Sequence, residues 1–119
     1  MKHLNKFFSF IFLCITCAFF IACSGPQDRK LSYFEKAKAY YKDKNFDKAS
    51  IELRNAIQID PKYSDALFLL GKVHEKRGDL RAAFQTYYSI VEELPNYSAA
   101  RAALARLYVL AGVSDKAAE

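Results

Sequence analysis

The sequence predicts an all-α protein built as a helix-turn-helix repeat solenoid. Two observations predict this fold class. Residue types recur at a spacing of 34 positions, and each 34-residue unit contains two amphipathic stretches whose apolar side chains fall three or four positions apart, as on one face of a helix. With 119 residues, of which 52% are apolar, the chain is long enough for one small domain.

The 34-residue period runs through residues 30–119. Pro61 recurs as Pro95, and the segment at 61–66 (PKYSDA) aligns with the segment at 95–100 (PNYSAA). We therefore expect repeats at about 30–63 and 64–97, and a partial repeat at 98–119. The same offset relates three further sets, which are Ala37, Gly71 and Ala105; Tyr40, His74 and Tyr108; and Ala49, Ala83 and Ala117.

Turn residues separate the predicted helices. Gly78 and Gly112 are expected to adopt the left-handed conformation after the first helix of their units, and Lys44 stands at the same place in the first unit. Pro61 and Pro95 are expected to stop the second helices, since proline lacks the amide hydrogen that a helix interior needs.

Residues with short polar side chains are expected to cap the helices. Asn45 and Asp79 precede the second helices, where a side-chain oxygen can accept a bond from a free amide of the first turn. Ser64 and Ser98 are the predicted caps of the following first helices.

In the third unit the chain ends at Glu119, about one turn into the predicted second helix. The face that carries Leu104, Leu107 and Tyr108 is therefore expected to lack a cover. Either further repeats of a longer array cover it, or another protein or a second copy does. The sequence favours the longer array, because no polar terminal helix follows.

The period and these residue types resemble the tetratricopeptide repeat (TPR). The resemblance implies a solenoid whose first helices line an inner, concave wall that binds peptides. By analogy this wall contains Phe34, Lys38, Tyr41, Lys42, Phe68, Lys72, Glu75, Lys76, Ala102, Arg106 and Val109.

Two ladders run along the implied wall at the repeat period. One consists of Phe34, Phe68 and Ala102, and the other of Lys38, Lys72 and Arg106. A basic and aromatic groove would suit an extended or helical peptide with acidic side chains. The alternative is that the basic residues are the ordinary solvated face of each helix.

The amino-terminal segment at 1–22 has the pattern of a cleavable export signal. Lys2 and Lys6 precede an apolar run at 7–21, which is shorter than the 20 or so residues that a spanning helix needs. The segment at 19–23 (FFIAC) resembles the bacterial lipobox. This implies that Cys23 becomes a lipidated, palmitate-bearing amino terminus, followed by a linker at 23–29.

The alternatives are an uncleaved amino-terminal anchor and an ordinary cysteine near a cleavage site. Because the residue after Cys23 is Ser24 and not aspartate, the resemblance implies the periplasmic face of the outer membrane.

The inventory of reactive residues does not predict an enzyme. His3 lies in the signal and His74 is a lone histidine, while the adjacent carboxylates at 92 and 93 point in different directions on a helix. All cysteines lie at or before residue 23, so we expect no cofactor and no metal. Sixteen basic and thirteen acidic residues follow residue 22, and a formal charge of +3 is too small to indicate nucleic acid.

The sequence thus predicts a non-catalytic scaffold that binds proteins or peptides of the cell envelope. The stretch at 51–57 (IELRNAI) is similar to TPR lipoproteins of exopolysaccharide and PEP-CTERM-type export systems, and to lipoproteins that assist type IV pilus assembly. Two alternatives remain. The chain is the amino-terminal repeat region of a longer enzyme whose catalytic domain lies beyond Glu119, or it is a structural lipoprotein that assembles with itself.

Overall fold

A computed structural model describes the backbone of residues 25–117 and the side chains of residues 25–112. This part of the chain contains five helices and no strand, which confirms the predicted all-α repeat fold. The predicted signal at 1–22 and Cys23 lie outside the described residues. The helices are α1 (Pro26–Lys42), α2 (Phe46–Ile59), α3 (Ser64–Lys76), α4 (Leu80–Glu93) and α5 (Ser98–Ala117).

The helices pack as two successive hairpins followed by α5. Helix α1 packs on α2, α3 packs on α4, and contacts of α2 with α3 and of α4 with α5 join the units. Small buried residues lie at the centre of each hairpin, since Ala37, Ala49 and Ala83 have no exposed surface. They allow the helix axes to approach, while Leu53 and Tyr87 fill the space beside them.

The predicted left-handed turn at Gly78 and the predicted caps at Asn45 and Asp79 are confirmed, and Lys44 adopts the left-handed conformation as well. Lys44 (φ 59°) and Gly78 (φ 80°) both adopt the left-handed conformation between the two helices of their units. The side-chain oxygen of Asn45 accepts the amide of Lys48 at 3.2 Å, and that of Asp79 accepts the amide of Ala82 at 3.0 Å. Each bond satisfies one amide that the first turn of a helix leaves free.

The prediction that Ser64 and Ser98 cap helices is wrong by one residue. Each serine is the first residue of its helix, because the carbonyl group of the preceding tyrosine accepts the first helical bond. The Tyr63 carbonyl accepts the amide of Leu67 at 3.0 Å, and the Tyr97 carbonyl accepts the amide of Arg101 at 3.2 Å.

The turn predicted at Gly112 is not formed. Helix α5 continues through this residue to Ala117, and Gly78 is the one glycine with positive φ in the described backbone. The turn at Gly78 is stabilised by the packing of α4 on α3. In the part of the chain that the structure describes, no second helix packs on α5 in this way, so the backbone continues its helical bonds. Leu104 and Leu107 are buried against α4, contrary to prediction, whereas Tyr108 is 61% exposed as expected.

Helix α1 begins earlier than the sequence predicts. Residues 26–29, predicted as linker, are helical, because Pro26 stands in the first turn and the carbonyl group of Gly25 accepts the amide of Arg29. A tertiary contact holds this turn in place. The buried Lys30 ammonium group donates to Asp60 at 2.7 Å and lies 4.6 Å from the ring centroid of Tyr63. This bond lowers the pKa of Asp60 below its usual range.

Candidate functional site

A groove of about 380 Å³ lies along the first helices of the two complete units. Helix α1 contributes three residues, α3 contributes four, and the loop before α5 contributes one. Five predicted wall residues line it together with three that were not predicted. The lining residues are Phe34, Lys38, Tyr41, Asp65, Phe68, Leu69, Lys72 and Tyr97.

The floor of the groove is aromatic. The ring of Phe34 lies 5.1 Å from that of Tyr63, and the ring of Phe68 lies 5.4 Å from that of Tyr87 and 5.7 Å from that of Tyr97. All three pairs are tilted, as is favourable for aromatic side chains. Because these rings pack on one another, they form a fixed surface against which an apolar side chain of a ligand can pack.

Two lysines of the groove lie over aromatic rings. The Lys38 ammonium nitrogen is 5.3 Å from the Phe34 ring centroid, and that of Lys72 is 5.0 Å from the Tyr41 ring centroid. Lys38 also pairs with Glu35 at 2.7 Å, but both side chains are largely solvated, so this pair is weak. Among the described side chains no carboxylate lies within 4.0 Å of the Lys72 nitrogen. Lys72 is therefore the cation of the groove that is most available to an acidic ligand.

Sequence reasoning missed Asp65, Leu69 and Tyr97. The Tyr97 hydroxyl donates to Asp65 at 3.0 Å, and this bond adds to burial in raising the pKa of Tyr97. The repeat period carries a signal for the tyrosine, since Tyr63 and Tyr97 are 34 residues apart. Asp65 gives the groove one negative edge that the ladder of basic residues does not predict.

The predicted basic ladder stops at Lys72. Arg106 lies outside the groove lining and donates from one guanidinium nitrogen to both Glu75 oxygens at 2.7 Å. The buried Tyr87 hydroxyl donates to the same carboxylate at 2.6 Å. Burial, and then this bond, raise the pKa of Tyr87 far above its usual value, so its hydroxyl stays protonated. The ion pair of Glu75 and Arg106 thus joins α3 to α5, and each of the two charges has its partner within the chain.

Four other predicted wall residues also lie outside the groove lining, and they are Lys42, Lys76, Ala102 and Val109. Lys42 and Lys76 occupy the last turns of α1 and α3, where both are exposed. Their charges complement the carbonyl ends of those helices. For these two lysines the structure favours the alternative that was left open, an ordinary solvated helix end.

His74 is half-buried in the last turn of α3 and does not belong to any cluster of metal-binding side chains in the described residues. Burial lowers its pKa, Arg54 and Arg77 lower it further, and Asp79 partly opposes them. The imidazole is therefore neutral near pH 7. In the described residues no three His, Cys, Asp or Glu side chains lie close enough to hold a metal ion.

Comparison with known proteins decides the repeat type. Residues 37–87 match the family model described as TPR repeat. Residues 37–87 are TPR repeats. The matched stretch runs from Ala37 in α1 to Tyr87 in α4. It includes both left-handed turns and the four small residues at which the helices of the two hairpins approach, which are Ala37, Ala49, Gly71 and Ala83.

Two relatives place these TPR repeats in context. The chain is 34% identical over 76 residues to the BBSome complex member BBS4 of Bos taurus, an alignment that covers 64% of this chain and 14% of that protein. The crystal structure of MamA has the same fold, with a TM-score of 0.68 and 24% identity, and the match covers 75% of this chain and 52% of that one. This chain therefore spans about half of MamA and a small part of BBS4.

TPR repeats form extended concave surfaces that bind proteins. The chain is accordingly a protein interaction scaffold in its coarse function. No helix within residues 25–117 is long and apolar enough to cross a bilayer.

Proposed function

We propose that this TPR chain is a non-catalytic, lipid-anchored scaffold of the bacterial cell envelope, whose groove holds a segment of a partner protein during assembly or export. The observation that carries the proposal is the groove itself, in which two lysines lie over a fixed aromatic floor. The relative BBS4 is described as a member of a complex, which is in keeping with a role in assembly.

The groove chemistry favours an acidic segment with apolar side chains. Lys72 and Lys38 would pair with carboxylates of the ligand, and the rings of Phe34 and Phe68 would contact its apolar side chains. Asp65 limits the acidic part of the ligand to the side of the groove that carries the lysines. We expect the cations to govern the rate of association and the rings to govern the lifetime of the complex.

The anchor is the second part of the proposal. Lipidation of Cys23 would hold the repeats on the periplasmic face of the outer membrane, since two or three acyl chains give effectively permanent attachment. The resemblance to lipoproteins of exopolysaccharide, PEP-CTERM-type and type IV pilus systems supports an envelope role. Replacing Cys23 with Ser should abolish labelling by radioactive palmitate, and label that persists in the variant would show that the lipobox assignment is wrong.

The groove is tested by the double substitution Lys38→Glu and Lys72→Glu. The probe is a fluorescein-labelled 12-residue peptide of repeated Glu-Leu-Glu-Phe, and the measurement is fluorescence anisotropy at physiological ionic strength. We expect the double variant to bind at least about tenfold more weakly, because each substitution replaces an attractive charge with a repulsive one and removes a cation from a ring face.

The chain offers a matched control in Lys42→Glu and Lys76→Glu. This pair changes the net charge by the same amount on the same two helices, but both lysines lie outside the groove lining. We expect less than a threefold loss for the control, since long-range attraction is screened beyond about 8 Å at this ionic strength. Equal losses in the two double variants would mean that overall charge, and not the groove, attracts the peptide.

A further inference from the structure

The groove carries opposite charges at its two ends. Four of its lining residues, Asp65, Phe68, Leu69 and Lys72, follow one another along α3 at the spacing of one helix face. Asp65 stands in the first turn of α3, and Lys72 lies about 10 Å further along the helix axis. The aromatic and apolar side chains of the groove lie between these two charges.

Helix α1 repeats the basic end of this pattern and leaves the acidic end to α3 alone. Lys38 is equivalent to Lys72 by the repeat period and lines the same end of the groove. The position equivalent to Asp65 is Leu31, which does not belong to the groove lining. Two cations therefore stand at one end of the groove and one carboxylate at the other.

The Asp65 carboxylate has room for a second partner. It accepts one hydrogen bond, from the Tyr97 hydroxyl at 3.0 Å, while an ionised carboxylate offers about four acceptor sites. Among the described side chains no basic group lies within 4.0 Å of it, and the residue is exposed. Asp65 is therefore available to a cation of the ligand, as Lys72 is available to an anion.

A ligand could cross the helices from unit to unit or lie along them. Across the helices the cations would be Lys38, Lys72 and Arg106, but Arg106 is paired with Glu75 and lies outside the groove lining. Tyr97 bounds the groove on the side of the third unit. The groove therefore favours a ligand that lies along α1 and α3 and meets the carboxylate, the apolar floor and the cations in turn.

We infer, on the basis of the proposed function, that the groove binds a helical segment of the partner protein with an acidic and a basic residue seven positions apart. Apolar residues stand three and four positions after the acidic one. The acidic residue pairs with Lys72 and the basic residue with Asp65, while the apolar residues contact Phe68. The segment therefore lies antiparallel to α3, with its amino-terminal end beside Lys72.

The distance between the two charges selects a helix. Residues seven positions apart on a helix share a face and lie about 10 Å apart along the axis, which matches the separation of Asp65 and Lys72. On an extended chain, residues of one face are about 7 Å or about 13 Å apart. The order of the charges also agrees with the helix dipole, which favours an acidic residue near the amino-terminal end and a basic one near the carboxyl end.

Two parts of the chain itself do not fit as the bound segment. Residues 1–24 contain no acidic side chain that could pair with Lys72. Helix α3 has the required residues in the required order, but they line a concave surface. The grooves of two copies facing each other would leave the space between them unfilled, at the cost of the contacts that close packing provides.

The probe is the fluorescein-labelled peptide AAQAAEAQLLAQKAAQAA, in which glutamate, two leucines and lysine stand at the required positions. It is titrated with the full chain in detergent micelles, and its anisotropy is compared with that in empty micelles. The matched control peptide, AAQAAEAQLLKQAAAQAA, has the same composition, but its lysine stands five positions after the glutamate and so on another side of the helix. We expect the control to bind at least about threefold more weakly, through the loss of one partly solvated ion pair.

Substitutions in both molecules locate the contact with Asp65. Asp65→Asn removes the charge but keeps an oxygen that can accept the Tyr97 hydroxyl, and it should weaken the probe about threefold. It should not affect a peptide with methionine in place of the lysine. The matched control Asp43→Asn, at an exposed position outside the groove lining, should change the affinity less than about 1.5-fold. Lys72→Met and a peptide with glutamine in place of the glutamate form the equivalent cycle at the other end.

The two cycles separate this inference from the proposed function. Coupling at both ends supports the inference. Coupling of Lys72 with the glutamate, but none of Asp65 with the lysine, overturns the inference and leaves the proposed function standing. No coupling at Lys72 contradicts both. Equal binding of the two peptides of matched composition overturns the inference, and so does a dimer in sedimentation that the probe dissociates, because a second copy then occupies the groove.

Discussion

Gly71 is the position where one methyl group tests the hairpin packing most directly. A Cβ atom at this position would lie 2.7 Å from Cζ and 2.9 Å from Cδ1 of Tyr87, far inside ordinary van der Waals contact. The ring cannot move away easily. Tyr87 has no exposed surface, and its hydroxyl donates at 2.6 Å to Glu75, which Arg106 also holds.

The expected cost of Gly71→Ala is the balance of opposing effects. Overpacking of a filled core costs about 1–3 kcal/mol. Displacement of the ring would also weaken a hydrogen bond to a charged group, which contributes about 1.5–3 kcal/mol when intact. Alanine gains about 1 kcal/mol over glycine through its helix propensity. The free energy of unfolding should therefore fall by about 2 kcal/mol, against the propensity trend.

A second substitution makes this reasoning sharper. Tyr87→Leu combined with Gly71→Ala recreates in the second hairpin the pair that Ala37 and Leu53 form in the first. Leucine alone should destabilise the chain by leaving a gap beside glycine, and alanine should fill part of that gap. We therefore expect the double variant to be more stable than additivity predicts, by at least about 1 kcal/mol.

Urea unfolding of residues 24–119, followed by far-UV circular dichroism, measures all four forms. The reasoning would be refuted by either of two results. The first is that Gly71→Ala raises the stability by about 1 kcal/mol, so that propensity alone decides. The second is a double variant whose stability is additive within about 0.5 kcal/mol.

Three further predictions concern single contacts. Lys44→Gly should raise the free energy of unfolding by about 0.5 kcal/mol, because glycine adopts the left-handed conformation without the strain that lysine has there. Gly78→Lys should lower the urea midpoint for the same reason. An unchanged midpoint in both variants would contradict this. His74 should make the fold less stable as the pH falls from 7.5 to 5.5. The pKa of His74 is lower in the folded chain than in the unfolded chain, where it is about 6.5. Below about pH 6.5 the unfolded chain therefore binds more protons than the folded one, and the free energy of unfolding falls. His74→Tyr should flatten that slope, and equal slopes would exclude this histidine as its cause. Asp60→Ala should lower the melting temperature more than Lys30→Met, since it leaves a buried ammonium group unpaired, and the reverse order would show that the pair contributes little.

The hairpins could be predicted because the residues that form them act locally or recur at the period. A small residue such as Ala37 in one helix and Ala49 in the next specifies a close approach, and Asn45 needs only the amide three residues later. The left-handed conformation of Lys44 was not predicted: the alignment shows only that Lys44 stands where the second unit has Gly78, and lysine has no preference for positive φ. These are the signals that a single sequence with an internal repeat can supply.

The extent of the groove could not be predicted in this way. Whether Arg106 is a groove cation depends on Glu75, which is 31 residues away and belongs to another helix. Helical periodicity places each of them on the concave side but gives no distance between them. The same holds for Tyr97 and Asp65, 32 residues apart, whose bond closes one side of the groove. Pairings between units depend on the superhelical geometry, which the period alone does not determine.

The residues that break the repeat pattern explain why the groove ends at the second unit. In the third unit Ala102 stands where Phe34 and Phe68 supply groove rings, and Arg106 is held by Glu75. The third unit therefore adds neither a ring nor an available cation to the groove. Ala105→Arg should therefore leave the affinity for the acidic peptide within twofold of that of the unmodified chain, since Ala105 is exposed on α5 and lies outside the groove lining. Fluorescence anisotropy with the same labelled peptide measures this. A tenfold loss in this variant would mean that the third unit does contribute to the groove.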